Sequence, residues 1–377
     1  MKRLKVMTIL GTRPEIIRLS RIIALLDRHC AHCLVHTGQN YDYELNEVFF
    51  QQLQIRRPDH FLNAARETAA ATIGEVIASA DAVIAAEQPD ALLVLGDTNS
   101  SLAVIAAKRR KVPIFHMEAG NRSFDQRVPE EINRKIVDHV SDINLTYSDI
   151  ARDYLLREGF AADRVIRTGS PLREVLNHCA PQIAASPVLA ELGLERQGFF
   201  LVSAHREENV DAPERLRRLA TILEQLVADH GLPVIVSTHP RTRRRIEQAG
   251  LQFSDQIRLL RPLGFIDYVR LQCEARAVLS DSGTITEESS LLNFPALNLR
   301  DAHERPEGME EAAVMMVGLN PERIRQALAV LDGQPRGAER RLQMVRDYEP
   351  DNVSEKVLRI LLSYTDYVNK TVWRRDA

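Results

Sequence analysis

The chain has 377 residues, which at roughly 150 residues per domain predicts two or three domains whose cores need no disulfide or metal staple. At 45% hydrophobic and 27% charged it is neither disordered nor fibrous. The net charge of −3 and an aromatic content of 5% exclude a general nucleic-acid binder and a base-stacking platform, so a bound anion has to be gripped by a local cluster of charge.

Short apolar runs alternate with longer helical patterns. The runs lie at 4–10, 33–36, 91–96, 113–117, 143–147 and 165–169, then at 199–204, 234–238, 277–280 and 296–299. They are continuous, as in strands buried on both faces of a parallel sheet. Helices are predicted between them at 68–87, 130–141, 212–229 and 321–331, with an amphipathic helix in the tail at about 353–374. This β-α-β-α rhythm predicts a doubly wound α/β fold. It pauses between about 170 and 197, where Pro171, Pro181, Pro187 and Gly193 occur without a buried strand. A boundary there divides the chain into two Rossmann-like halves. A faint echo between 92–118 and 277–304, each strand, polar turn, helix, Pro, strand, Glu, fits that division. No stretch approaches the roughly 20 apolar residues of a membrane span, and Val6 to Leu10 is too short for a signal-peptide core. A cytoplasmic protein with no membrane partner is expected.

The polar motifs fall at the carboxyl ends of predicted strands, the edge where open α/β sheets bind ligands. Two halves each rich at that edge imply one cleft between them. In Gly11–Glu15, Pro14 suits the first turn of a helix whose amino terminus, with Arg13 and Arg18, offers donors and charge to an anion. The plain alternative is a strand–helix turn with solvated arginines. No G-x-G-x-x-G or P-loop is present, which disfavours NAD enzymes and P-loop NTPases. A second cradle is predicted at Asp281-Ser-Gly-Thr, with Ser282 and Gly283 at a helix start and Glu287 and Glu288 one turn on, placed for ribose hydroxyls. Its plain alternative is a serine N-cap with acidic residues on the helix dipole.

Asp97, Glu118 and Glu131 are the acid/base candidates, with His205 a fourth. Asp97 also suits a helix cap, Glu131 an ordinary helix start and His205 a structural histidine. Glu118 follows directly on an apolar strand, where a carboxylate is costly unless exposed or paired. Arg241, Arg243, Arg244 and Arg245 read as a solvated helix face. Four cysteines do not make a disulfide scaffold, and His29-Cys-Ala-His-Cys33 lacks the second ligand pair of a structural zinc site.

GTRPE, TGQN, GDTNS, HMEAGNR, PEEINR, HREEN, SDSGTITEE and HERPEG occur in this order across about residues 7–310. Together they resemble the non-hydrolysing UDP-N-acetylglucosamine 2-epimerases. The resemblance implies a GT-B-like α/β fold, two Rossmann-like doubly wound parallel-sheet domains facing across a cleft. Residues 1–170, joined by the helix at about 353–377, would form the sugar and acid/base side, and residues 171–352 the UDP side. It implies a homodimer, a UDP-amino-sugar substrate, no cofactor and no metal. The matching positions make Asp97, Glu118, Glu131 and His205 catalytic. They make Arg13, Arg18, His239, Ser282, Gly283, Thr284, Glu288 and Arg305 substrate-binding.

The chain departs from the common family pattern at Arg18, at Ala204-His-Arg-Glu-Glu-Asn, at Ser282-Gly-Thr and in the loop Asn121–Pro129. These changes, with MEAGNRSFDQRVPEEINR and LSYTDYVNKTVW, look like the subgroup that converts UDP-2-acetamido-2,6-dideoxy-L-talose to UDP-N-acetyl-L-fucosamine for capsule or O-antigen synthesis. The family's regulatory UDP-sugar site uses a glutamine pair after the second strand. Here Gln39 is present, but Asp42 stands at the second position.

The hydrogen on carbon 2 of such a sugar is not acidic, because no carbonyl neighbours it. Breaking the anomeric C–O bond first creates an oxocarbenium-like centre, acidifies that proton and leads to a 2-acetamidoglycal. Re-addition of UDP with a proton on the other face gives the epimer, the route the resemblance also implies.

Overall fold

A computed structural model describes residues 3–38, 43–302 and 304–375. Gln39 and Asp42, the pair that bears on the regulatory site, lie outside the described residues. The chain divides into two compact units, Met1–His178 with Asp347–Ala377, and Cys179–Arg346.

The first unit is built on β1 (Lys5–Leu10), β2 (Ala31–His36), β3 (His60–Phe61), β4 (Ala91–Leu95), β5 (Ile114–Ala119), β6 (Ile143–Thr146) and β7 (Val165–Arg167). All pair in parallel, in the order β3-β2-β1-β4-β5-β6-β7. The second unit holds β8 (Phe200–Ser203), β9 (Val234–Ser237), β10 (Ile257–Leu260), β11 (Ala277–Ser280), β12 (Ala296–Asn298) and β13 (Met315–Met316). It is again parallel, in the order β10-β9-β8-β11-β12-β13. The strand order therefore reverses between β1 and β4 in one sheet and between β8 and β11 in the other. Such a switch point opens a crevice beyond the strand ends. GTRPE and GDTNS flank the first, and HREEN and SDSGT flank the second.

The continuous apolar runs are strands, as their burial on both faces demands. Three strands carry too little apolar signal to be read from sequence. β3 and β13 are two residues each, and β10 is half-exposed at a sheet edge with Arg258 in it. The stretch at 170–197 holds helices Leu172–Ala185 and Val188–Glu191.

The tail helix Val353–Thr371 packs on Arg13–His29 through Val353, Val357, Leu361 and Val368, all fully buried. Each such side chain contributes about 1.5–3 kcal/mol. The backbone N–H of Ser354 donates to the Glu174 carboxylate at 2.9 Å and fixes where the tail helix begins.

One expectation is corrected. Helix Ala69–Glu87 has 19 residues and a mean hydropathy of 1.5, so by length and composition it is apolar enough to cross a membrane. Val76, Ala80 and Ile84 on one face of it pack into the core of the first unit.

Candidate functional site

The first loop is held by sterics and by one carboxylate. Gly11 has an ordinary φ; a Cβ there would lie 2.0 Å from Thr37 Oγ1 and 2.3 Å from Ser100 Oγ. The loops after β1, β2 and β4 thus converge on a position that only glycine fills. Glu15, fully buried, accepts from the N–H groups of Gly11 at 3.0 Å and Thr12 at 2.7 Å, and from the Thr12 hydroxyl at 2.7 Å. Its other oxygen accepts from Thr98 Oγ1 at 3.0 Å, tying the GTRPE loop to the GDTNS loop. Burial pushes the Glu15 carboxyl up to about 7 despite these bonds. Arg13 projects from this helix start over the Phe49 ring at 5.9 Å. Arg18, one turn further, is buried; its guanidinium lies 3.8 Å from Glu118 Oε2, over the Tyr147 ring, and donates to Ser170 Oγ at 3.3 Å.

Asp97 follows Gly96, whose φ of +74° needs glycine. It is not the helix cap: Thr98 Oγ1 accepts from Ser100 N–H at 3.2 Å and takes that role. Asp97 Oδ2 instead faces Arg134, 2.8 Å from Nε and 2.7 Å from Nη2. The same guanidinium donates through Nη1 to Glu131 at 2.9 Å. Glu131 is fully buried and also accepts from Ser123 N–H at 2.9 Å, Ser123 Oγ at 3.1 Å and Phe124 N–H at 3.2 Å. Burial raises its pKa, but the Ser123 and Arg134 bonds outweigh that and hold it below the usual carboxylate range. Glu131 is therefore an ionised anchor for the Ser123–Phe124 loop, more than an ordinary helix start.

Glu118 stands one residue from the end of β5 with φ +63°, at a register shift between Met117 and Ala119. A non-glycine residue held left-handed at a bulge costs about 1–3 kcal/mol, and such strain concentrates at functional sites. The twist gives its carboxylate to Arg18 and to Asn121 Nδ2 at 3.4 Å, with 15% of the side chain exposed.

In the second unit Asp281, fully buried, organises the loop after β8. Its carboxylate accepts from His205 N–H at 3.0 Å, Arg206 N–H at 3.0 Å and Asn209 Nδ2 at 3.1 Å, with His205 Nδ1 at 3.3 Å. The His205 ring lies 6.1 Å from that of His239, which follows the neighbouring strand β9 and caps the next helix, accepting from Arg241 N–H at 3.3 Å. Ser282 does not cap the helix Ile285–Leu292; its Oγ meets Thr284 Oγ1 at 3.0 Å, and its N–H donates to Ser280 Oγ at 3.0 Å. Of the two amides expected at an anion, that of Ser282 is thus engaged. A Cβ on Gly283 would fall 2.6 Å from Glu304 Oε1, so glycine admits the chain after β12 here. Around it Arg300 pairs with Glu304 at 2.7 Å, Arg206 approaches Glu304 at 3.6 Å, and buried Arg305 lies 3.3 Å from Glu287. Glu288 is half-buried and accepts from Gln272 Nε2 at 2.6 Å. Of the basic run, Arg241 and Arg245 pair with Asp211, so it is not simply solvated.

Among the described residues one group of metal-ligating types converges, Cys33, His60 and Glu87. His32 points elsewhere, to Asp27 and Thr8, and the Lys5 ammonium, 2.7 Å from Glu87, already neutralises that carboxylate.

The family profile described as UDP-N-acetylglucosamine 2-epimerase matches residues 24–362. The chain belongs to the UDP-N-acetylglucosamine 2-epimerase family. It is similar to the solved UDP-N-acetylglucosamine 2-epimerase from Rickettsia bellii, 50% identical with a TM-score of 0.92 over 99% of this chain and 100% of that one. It is also similar to the Methanocaldococcus jannaschii UDP-GlcNAc 2-epimerase solved with UDP-GlcNAc and UDP, 32% identical with a TM-score of 0.89 over 95% and 99% of the chains. A UDP-2,3-diacetamido-2,3-dideoxy-D-glucuronate 2-epimerase from Pseudomonas aeruginosa is 37% identical over 84% of this chain and 88% of that protein. The fold is the GT-B-like pair of parallel-sheet α/β domains of this epimerase family, and the protein is a non-hydrolysing UDP-sugar 2-epimerase.

In this epimerase the structure adds Arg134, Glu15, Asp281 and Glu304 to the residues singled out from sequence. All four lie inside the recognised motifs. What sequence could not show is their pairing with other loops, Glu15 with Thr98, Arg134 with Asp97, Asp281 with His205 and Glu304 with Arg206.

Proposed function

We propose that this epimerase inverts carbon 2 of UDP-2-acetamido-2,6-dideoxy-L-talose to give UDP-N-acetyl-L-fucosamine, by anti elimination of UDP and re-addition to the glycal. The observation that supports the route is the arrangement of Asp97 and Glu118, on adjacent strand ends at the switch-point edge, each faced by its own arginine. Elimination breaks the anomeric C–O bond, with the electron pair leaving on UDP, and passes the carbon 2 proton to one carboxylate. A carboxyl group on the opposite face, protonated from solvent beforehand, then gives its proton to carbon 2 of the glycal as UDP re-adds to the anomeric carbon. Glu131, through Arg134, holds Asp97 in register. In the second unit His205, His239, Gly283, Thr284 and Arg305 bind the diphosphate end and Glu288 the ribose; in the first, Arg13 and Arg18 offset developing negative charge. Running the reaction in deuterated water tests the route: deuterium at carbon 2 of the product is expected, and a product without it sinks the proposal.

The L-talose substrate is supported by the subgroup-like stretches at 117–134 and 362–373. The second reading, UDP-N-acetylglucosamine to UDP-N-acetylmannosamine, is favoured by the names of the relatives from Rickettsia bellii and Methanocaldococcus jannaschii. Offering the two nucleotides separately and following carbon 2 decides between them. Turnover with no acceptor present separates both from a GT-B glycosyltransferase. We further propose a homodimer whose product feeds capsule or O-antigen synthesis.

A further inference from the structure

Behind the acid/base edge lies a buried polar chain that the reaction scheme does not use. His116, in β5 and 1% exposed, sits two residues before Glu118. Its Nε2 is 2.9 Å from the carbonyl oxygen of Gly96, the residue before Asp97, and its Nδ1 is 2.9 Å from Asp138 Oδ1. The N–H of Gly96 donates to the Met117 carbonyl at 2.9 Å, so Gly96 is gripped through both of its backbone polar groups by the strand that carries Glu118. Asp138 also accepts from Arg122 Nη1 at 2.7 Å and from Gly120 N–H at 3.3 Å, which anchors the loop leaving Glu118. Arg122 in turn pairs with Glu158 at 2.7 Å.

We propose that His116 is a positioning residue of the epimerase, its ring carrying both protons and clamping the Gly96 peptide so that Asp97 and Glu118 keep one mutual geometry. This rests on the acid/base reading of those two carboxylates. The proton count follows from the partners. A carbonyl oxygen only accepts, and Asp138 is surrounded by donors, so both ring nitrogens have to donate. Burial would raise the Asp138 pKa, but the bonds from His116 and Arg122 outweigh it and keep that carboxyl below its usual range. The cluster then holds two cations, His116 and Arg122, and two anions, Asp138 and Glu158. The balance of charge is what lets an imidazolium stand inside the protein. A neutral ring would leave one nitrogen lone pair facing an acceptor.

Two measurements on the full chain test this. In protein labelled with ¹⁵N-histidine, the His116 ring, assigned by its loss in His116→Gln, is expected to show two donor-type nitrogens at neutral pH. One acceptor-type nitrogen overturns the proposal. The kinetic arm uses side chains that each replace half the ring. Glutamine reaches the Nε2 position and keeps the Gly96 contact, whereas asparagine mimics Nδ1 and keeps only Asp138. His116→Asn is expected to lose kcat by roughly 10–100-fold with KM nearly unchanged, because a displaced reacting group costs that much, while His116→Gln recovers most of it. Equal losses in both variants, or a loss of UDP binding in step with kcat, overturn the positioning role. Failure of the wild-type protein to turn over any UDP-sugar would instead fall on the acid/base reading and leave the ring result standing.

Discussion

The Arg134 guanidinium reaches the Asp97 carboxylate at 2.7 Å, from the helix after β5 to the loop after β4. Its remaining arm holds Glu131 at 2.9 Å, so one planar fork sets the spacing of two carboxylates. Lysine keeps the charge and loses the fork. Arg134→Lys is expected to lower kcat by roughly 10–100-fold with a small change in KM, as read in steady-state assays of carbon 2 epimerisation.

Glu118 occupies a strained left-handed position beside Arg18. Glu118→Gln keeps the shape and removes the proton acceptor. Turnover should fall by about 10²–10⁴-fold while UDP still binds in calorimetry. A variant that fails to fold would return Glu118 to a structural role.

Glu15 makes stability depend on pH. Its folded value of about 7 lies above the ordinary glutamate value of 4.5, so the folded state binds the proton more tightly than the unfolded chain. That contribution is fully present below pH 4.5 and is lost as pH rises through 7. Glu15→Gln does not titrate. The stability of the wild type relative to this variant should therefore fall by about 2 kcal/mol between pH 5 and pH 8, measured by urea unfolding of both.

Gly11→Ala inserts a methyl group where Thr37 Oγ1 and Ser100 Oγ already sit at 2.0 and 2.3 Å from the added carbon. The backbone angle is not the obstacle, so the whole effect is overpacking. The expected destabilisation is about 1–3 kcal/mol, with a lower urea midpoint and an unchanged slope.

Asp281 accepts from two backbone N–H groups and from Asn209. Asparagine supplies one acceptor and one donor, and the donor faces an N–H. Asp281→Asn should loosen the His205 loop and weaken UDP binding by roughly tenfold or more in calorimetry, an effect confined to the second unit.

The alternation of apolar runs and helical stretches by itself determined the doubly wound class, because strands buried on both faces must read as unbroken apolar segments. It also placed most candidate motifs at a strand's carboxyl end, since polar residues directly after such a run have nowhere else to lie; Glu131 stands further on, in the helix Pro129–Val140. Strands β3, β10 and β13 escaped because short, half-exposed edge strands need little apolar sequence. Only the tertiary structure decided the strand order, and with it that GTRPE faces GDTNS and HREEN faces SDSGT across the switch points. Parallel pairing is set by packing between distant segments, which local pattern does not encode. The same holds for the partners of the charged residues. Asp97 reads equally well as a cap until Arg134 is seen against it, and Ser282 reads as a cap until its hydroxyl is seen on Thr284. A carboxylate's chemistry is set by what lies within about 4 Å, and those neighbours come from elsewhere in the chain.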